Sequence, residues 1–243
     1  MARRFIVDKE NINEFQDKYV ITGPEVKHIQ VLRFNVGDEV VVNSGIFKIC
    51  QMTRDEVILE YIKEAPIVGV PNTQVTLYIA FLKSEKMDFV IQKAVEIGVK
   101  KIVPFFSSNV IVKLDSKDRK KRREKLQKIA DEACKQCGRM DTVEVAEFLE
   151  FSQLKKDVLE NEKVFFAYEA SKDSLRREIT QAKEAKLKKI GIVIGAEGGF
   201  TPNEAQELTS IENVSCVSLG TRILRAETAA LNLLSIVIYE MEE

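Results

Sequence analysis

The feature that most constrains this chain is a change of rhythm near Thr73. Beyond it lie five short apolar runs: Val75 to Leu82, Lys101 to Phe106, Lys163 to Tyr168, Lys189 to Gly195 and Val214 to Leu219. Runs this short that stay apolar on both faces suit strands of a parallel sheet covered on each side by helices. The intervening stretches have helical spacing. Between Lys86 and Ile97, residues Met87, Val90, Ile91, Ala94 and Val95 fall on one face. Strand alternating with helix predicts an α/β layered domain with a parallel sheet over residues 74–243.

Before Thr73 the pattern is different. Glu39 to Val42, the turn Asn43-Ser44-Gly45, Ile46 to Met52, the turn Thr53 to Glu56 and Val57 to Ile62 read as consecutive short strands. One helix from Pro24 to about Leu32 interrupts them, and the whole predicts a small β-barrel domain over residues 1–70. The segment from Ala65 to Thr73 has two prolines and no amphipathic period, so the linker is placed there. No apolar run approaches the roughly 20 residues of a membrane span. The amino terminus turns acidic before any signal core, which predicts a cytoplasmic protein with no membrane partner. Cys134 and Cys137 form a CxxC inside a helical stretch, with no second ligand pair and a single histidine, His28, in the whole chain. No metal site is expected.

Two loops carry the chemistry. In Ile190 to Glu204 a buried strand runs into Gly195-Ala196-Glu197-Gly198-Gly199 and then into a helix marked by Thr201, Pro202 and Glu204 as cap, first turn and capping-box partner. Glycines at the carboxyl end of a strand let backbone approach a ligand closely. The loop lacks the Gly-Lys-Ser/Thr of a phosphate-binding P-loop and the spacing of a dinucleotide fingerprint. In Val217 to Ala230 a second strand feeds a loop holding Arg222, Arg225 and Glu227, then a helix whose apolar face includes Ala226, Ala229, Ala230, Leu233 and Val237. Arginines beside a predicted ligand crevice suit an anionic substrate.

Gly195 to Gly199, taken with Leu219-Gly220-Thr221-Arg222-Ile223-Leu224-Arg225-Ala226-Glu227-Thr228-Ala229, resembles the RsmE family, the small-subunit ribosomal RNA uridine-N3 methyltransferases of the SPOUT superfamily. Gln92 to Val99 and Glu132 to Arg139 are similar to that family's first two helices. The chain has Ala196 where the family usually has proline, Asn109 where an arginine is common, and no tryptophan near Leu126. The resemblance implies a trefoil-knotted carboxyl-terminal domain that binds S-adenosylmethionine. It implies cofactor contacts at Tyr168, at Gly195, Glu197, Gly198 and Gly199, and at Leu219, Gly220, Arg222, Ile223 and Leu224. It also implies a homodimer, an amino-terminal PUA-like barrel that holds RNA, and a substrate that is small-subunit (16S) ribosomal RNA or the assembled 30S subunit.

The chemistry can be reasoned beside the resemblance. Methylating a ring nitrogen needs no covalent intermediate. It needs loss of the N3 proton, stabilisation of the anion and in-line placement of the methyl donor. Arg225 suits the second task; Glu227, with a raised pKa, or water could take the proton. Net charge is −1, yet the twelve residues from Lys117 to Lys128 carry eight basic side chains and two acidic ones. Arg122 and Arg123 there, with Arg3 and Arg4, are the expected phosphate contacts. The competing readings are a SPOUT methylase acting on another base or on a ribose hydroxyl, and an inactive RNA-binding relative.

Overall fold

The computed structural model describes residues 4–15, 18–66, 69–110, 114–139, 141–171 and 173–242. The chain divides into two compact units, one of Met1–Val70 with Lys135–Met140, the other of Pro71–Cys134 with Asp141–Glu243.

The first unit holds β1 (Arg4–Phe5), β2 (Ile12–Phe15), β3 (Lys18–Thr22), α1 (Pro24–Val31), β4 (Glu39–Val42), β5 (Gly45–Met52) and β6 (Glu56–Glu64). Their order is β1-β4-β5-β6-β3-β2, antiparallel except for the parallel pair β1 and β4. Alternate residues point inward: Val40 and Val42, Phe47 and Ile49, Val57 and Leu59 join Phe5, Ile21, Val26 and Ile29 in one core. The expected barrel does not close; among the described residues this is an open mixed sheet with β1 and β2 as its edges. Closure requires the two edges to pair. β1 has only two residues, too short to offer β2 a continuous ladder, and Asn13, Glu14 and Phe15 of β2 are exposed along the unpaired edge.

The second unit comprises β7 (Gln74–Ala80), α2 (Ser84–Ile97), β8 (Lys101–Phe106), α3 (Ser116–Cys137), β9 (Glu144–Val145), β10 (Leu149–Glu150), α4 (Phe151–Asp157), β11 (Lys163–Ala167), α5 (Leu175–Glu184), β12 (Lys189–Ile194), α6 (Pro202–Thr209), β13 (Val214–Val217) and α7 (Ala226–Glu242); the end of α3 groups with the first unit. Every strand pair is parallel, in the order β10-β8-β7-β12-β11-β13, with β9 also on β8. Both faces are covered. Val75, Leu77, Ile79, Ile190, Ile192, Ile194 and Phe165 pack against buried residues of α2, α3, α5 and α7. The alternating residues Tyr78, Ala80, Val193, Val164 and Phe166 pack with Leu154 of α4 and with Ala205 and Leu208 of α6. Helix α7 buries Ala226, Ala230, Leu233, Leu234, Val237 and Ile238, a continuous stripe at helical spacing.

Candidate active site

The carboxyl ends of β11, β12 and β13 lie side by side, because β12 and β13 flank β11. Open parallel sheets bind ligands in this position. A cavity of about 510 Å³ opens there, walled by the loops that leave the three strands and by Lys86 of α2.

The loop after β12 is shaped by local chemistry. Thr201 caps α6: its Oγ1 accepts from the Glu204 N–H at 3.2 Å, and Glu204 Oε2 accepts from the Thr201 N–H at 2.9 Å. Glu204 does more than the sequence suggested. Its Oε1 accepts from the Ser108 N–H at 2.8 Å, tying the β8 exit to the start of α6. Burial pushes the Glu204 carboxyl up, but these donors outweigh it and hold the group below the usual carboxylate range. Phe200 is buried between Phe105 and Phe166, with ring centroids 6.2 and 4.9 Å away. A β-carbon on Gly195 would stand 2.8 Å from that ring, so only glycine fits. Gly199 has φ +65°, and its N–H donates to the Ala196 carbonyl at 2.9 Å to close the turn. Asn109 Nδ2 donates to the carbonyls of Gly198 and Gly199 at 2.8 and 3.3 Å. Asn109 thereby clamps the glycine loop to the β8 exit.

The other two loops are laced together. The Tyr168 N–H donates to the Val217 carbonyl at 3.2 Å, Ser171 Oγ to the Cys216 carbonyl at 3.1 Å, and the Ser218 N–H to the Asp173 carbonyl at 3.1 Å. Tyr168 stacks on Phe166, with centroids 5.6 Å apart.

All ten residues that the resemblance assigned to the cofactor, from Tyr168 to Leu224, line this one cavity, as does Arg225. Arg222 and Arg225 are exposed, and among the described residues neither has an ion-pair partner. Glu227 is placed differently. It does not line the cavity; its Oε2 lies 3.6 Å from Lys86 Nζ, and the same ammonium is 3.3 Å from Glu197 Oε1. Burial raises the Glu197 carboxyl, while its own N–H, Lys86 and the Lys83 N–H together bring it below the usual range. Lys86 escaped sequence reasoning. Its one local signal was a cation in the first turn of a helix, where the dipole disfavours it.

The expected phosphate contacts are dispersed. Arg3 lies outside the described residues. Arg4 donates from Nη2 to the Asn43 carbonyl within its own sheet. Arg122 is only 11% exposed, with Nη2 2.6 Å from Asp88 Oδ1. Arg123 donates from Nε to the Val145 carbonyl at 3.0 Å and pairs with Glu147 at 3.2 Å. The exposed cations of α3 are lysines, among them Lys117, Lys120, Lys121 and Lys128. Cys134 is buried in the core and Cys137 exposed; among the described residues no three potential ligands converge on a metal position.

The chain is similar to known proteins along its whole length. The RNA methyltransferase domain family matches residues 70–238. Ribosomal RNA small subunit methyltransferase E of Bacillus subtilis (strain 168) is 36% identical over 257 aligned positions, covering 100% of this chain and 98% of the relative. The enzyme of the same name from Mesomycoplasma hyopneumoniae (strain 232) is 31% identical, covering 96% and 97%. Among solved structures, ribosomal RNA small subunit methyltransferase E from Neisseria gonorrhoeae, bound to S-adenosyl methionine, superposes with a TM-score of 0.78 at 25% identity, covering 97% of this chain and 96% of that one. The chain belongs to the ribosomal RNA small subunit methyltransferase E family, built on the RNA methyltransferase domain.

Proposed function

We propose that this protein transfers the methyl group of S-adenosylmethionine to N3 of a uridine in small-subunit (16S) ribosomal RNA, free or within the 30S subunit, in the cytoplasm. The observation that carries this reading is the cavity itself. Its volume of about 510 Å³ suits a small-molecule cofactor, its walls are mostly backbone and apolar side chains, and two exposed arginines with no ion-pair partner among the described residues line it. The Neisseria relative binds the same cofactor, and the Bacillus relative is named for small-subunit RNA.

The residues present fit the cofactor. Tyr168, the Gly195 to Gly199 loop and the Leu219 to Leu224 loop, which line the cavity, would hold it. Bound there, it supplies an electrophilic methyl group. The chain supplies the rest. Arg225 is placed to stabilise negative charge on the uracil oxygens as the N3 proton leaves, a contribution felt only as that charge develops. Of the two proton acceptors weighed from the sequence, Glu227 and water, the placement of Glu227 against Lys86 rather than on the cavity wall favours water.

The second unit is the SPOUT domain and ties the trefoil knot, a reading supported by β11 sitting between the later strands β12 and β13. The first unit is PUA-like and holds RNA as an open sheet. Two copies associate through the second unit, in which Phe89, Ile223 and Tyr239 leave large apolar surface exposed. Light scattering at micromolar concentration should report twice the chain mass.

The decisive assay offers the protein labelled cofactor with undermethylated small or large ribosomal subunits. Label should enter the small-subunit RNA alone; label in neither RNA would refute the proposal.

A further inference from the structure

Lys86, Glu197 and Glu227 come from three separate parts of the chain, the start of α2, the loop after β12 and the start of α7, and meet at one ammonium. The glutamates are unequal. Glu197 lines the cavity, whereas Glu227 stands behind Lys86 with its side chain 16% exposed. Glu227 Oε2 is buried and, among the described residues, makes no hydrogen bond. At 3.3 and 3.6 Å both ion pairs are looser than the roughly 2.7–2.9 Å of a tight charged hydrogen bond. An ammonium has three donors. Lys86 is therefore held by attraction from two sides while keeping donor capacity toward the cavity it lines. A cation in the first turn of a helix opposes the helix dipole, so its placement asks for a reason beyond the helix.

We propose that Lys86 touches the bound ligand directly, donating to an oxygen that carries negative charge, and that Glu227 is a positioning residue acting through Lys86. This rests on the reading that the cavity holds S-adenosylmethionine and the target base. Two oxygens share the required chemistry: the cofactor's carboxylate and a carbonyl of the uracil as it loses its proton. The other charged groups facing this space are Glu169, Arg222 and Arg225. The arginines have no partner among the described residues, so they lack the two-sided clamp that Lys86 has.

The test is a double-mutant cycle of Lys86→Met and Glu227→Gln on the full chain. It reads cofactor affinity by calorimetry and single-turnover methylation at saturating cofactor. Lys86→Met should lose about tenfold or more in one of the two, the scale of a lost charged hydrogen bond. Loss of affinity assigns the contact to the cofactor's carboxylate; loss of saturated rate assigns it to the base. Glu227→Gln should move the same quantity, and the double variant should lose no more than Lys86→Met alone, since Glu227 has nothing left to position. If Lys86→Met fails to fold, Lys86→Gln takes its place, with a thermal melt confirming the fold. Additive losses, or a Glu227→Gln variant that moves the other quantity, would overturn the division of roles. Wild-type affinity and rate in Lys86→Met overturn the proposal while leaving the cavity's function intact. A wild-type chain that binds no cofactor overturns the reading of the cavity and this proposal with it.

Discussion

Substituting alanine for Gly199 separates two costs that the glycine loop avoids. At φ +65° an L-residue costs about 1–2 kcal/mol more than glycine, because its β-carbon crowds the following carbonyl. The new β-carbon also comes 3.4 Å from Glu169 Oε1. If the turn keeps its shape, the strain stays in the folded protein, and the melting temperature falls by about 2–8 °C for a chain of this size. If the turn relaxes, the Gly199 N–H leaves the Ala196 carbonyl and the loop moves from its ligand-ready position. Cofactor binding must then restore that position, and affinity falls by about 5- to 30-fold. Calorimetry with S-adenosylmethionine, paired with melts of the free protein, measures both routes. Gly199→Val adds β-branching to the same strain and should leave no measurable binding in a folded protein. Unchanged affinity together with an unchanged melt in Gly199→Ala would refute the argument that this backbone conformation serves the ligand.

Arg225→Ala should cut the saturated single-turnover rate by about ten- to a thousand-fold while leaving cofactor affinity nearly unchanged; an effect confined to affinity would place the arginine elsewhere. On α3, replacing Lys117, Lys120, Lys121 and Lys128 with alanine should flatten the slope of log affinity for RNA against log salt by about 3, whereas Arg122→Ala should lower the melting temperature through loss of its Asp88 pair. Glu178, bonded to Ser215 Oγ at 2.6 Å and Lys163 Nζ at 2.9 Å, has its pKa depressed to about 2, chiefly by the Ser215 hydroxyl. Between its ordinary value of 4.5 and about 2 the unfolded chain therefore binds the extra proton. The stability contributed by Glu178 is complete above about pH 4.5 and disappears as pH falls toward 2. Glu178→Gln should flatten acid unfolding in that window, which melts over a pH series would reveal.

What was legible in the sequence was local. The capping box of Thr201 and Glu204, the strands β8 and β12, and the apolar stripe of α7 are each written within one short continuous stretch of chain, and the structure has them there. The two loops could be singled out because glycine, cap and charge occur together. Their convergence on one cavity depends on β12 and β13 flanking β11, a matter of strand order that no local pattern encodes. The same limit hid Lys86, whose partners lie more than a hundred residues away. It also explains the arginines of α3. A basic run reads as a solvated face, but Asp88 and the Val145 carbonyl approach from α2 and β9 and take up Arg122 and Arg123, leaving the lysines outside. In the first unit β4, β5 and β6 were readable from alternation and turns, whereas β1, β2 and β3 were not singled out and closure depended on how two distant edges meet. β9 and β10, two residues each, are too short to leave any periodic trace.

The central claim, methylation at a uridine ring nitrogen, is tested most directly by identifying the product. Small subunits lacking the modification are incubated with the protein and S-adenosylmethionine, and their RNA is digested to nucleosides and resolved by mass spectrometry against methylated standards. The account predicts one new species, N3-methyluridine, formed by the wild-type chain and strongly reduced with Arg225→Ala. A methyl group on a ribose hydroxyl, on a carbon or on any base other than uracil would contradict it.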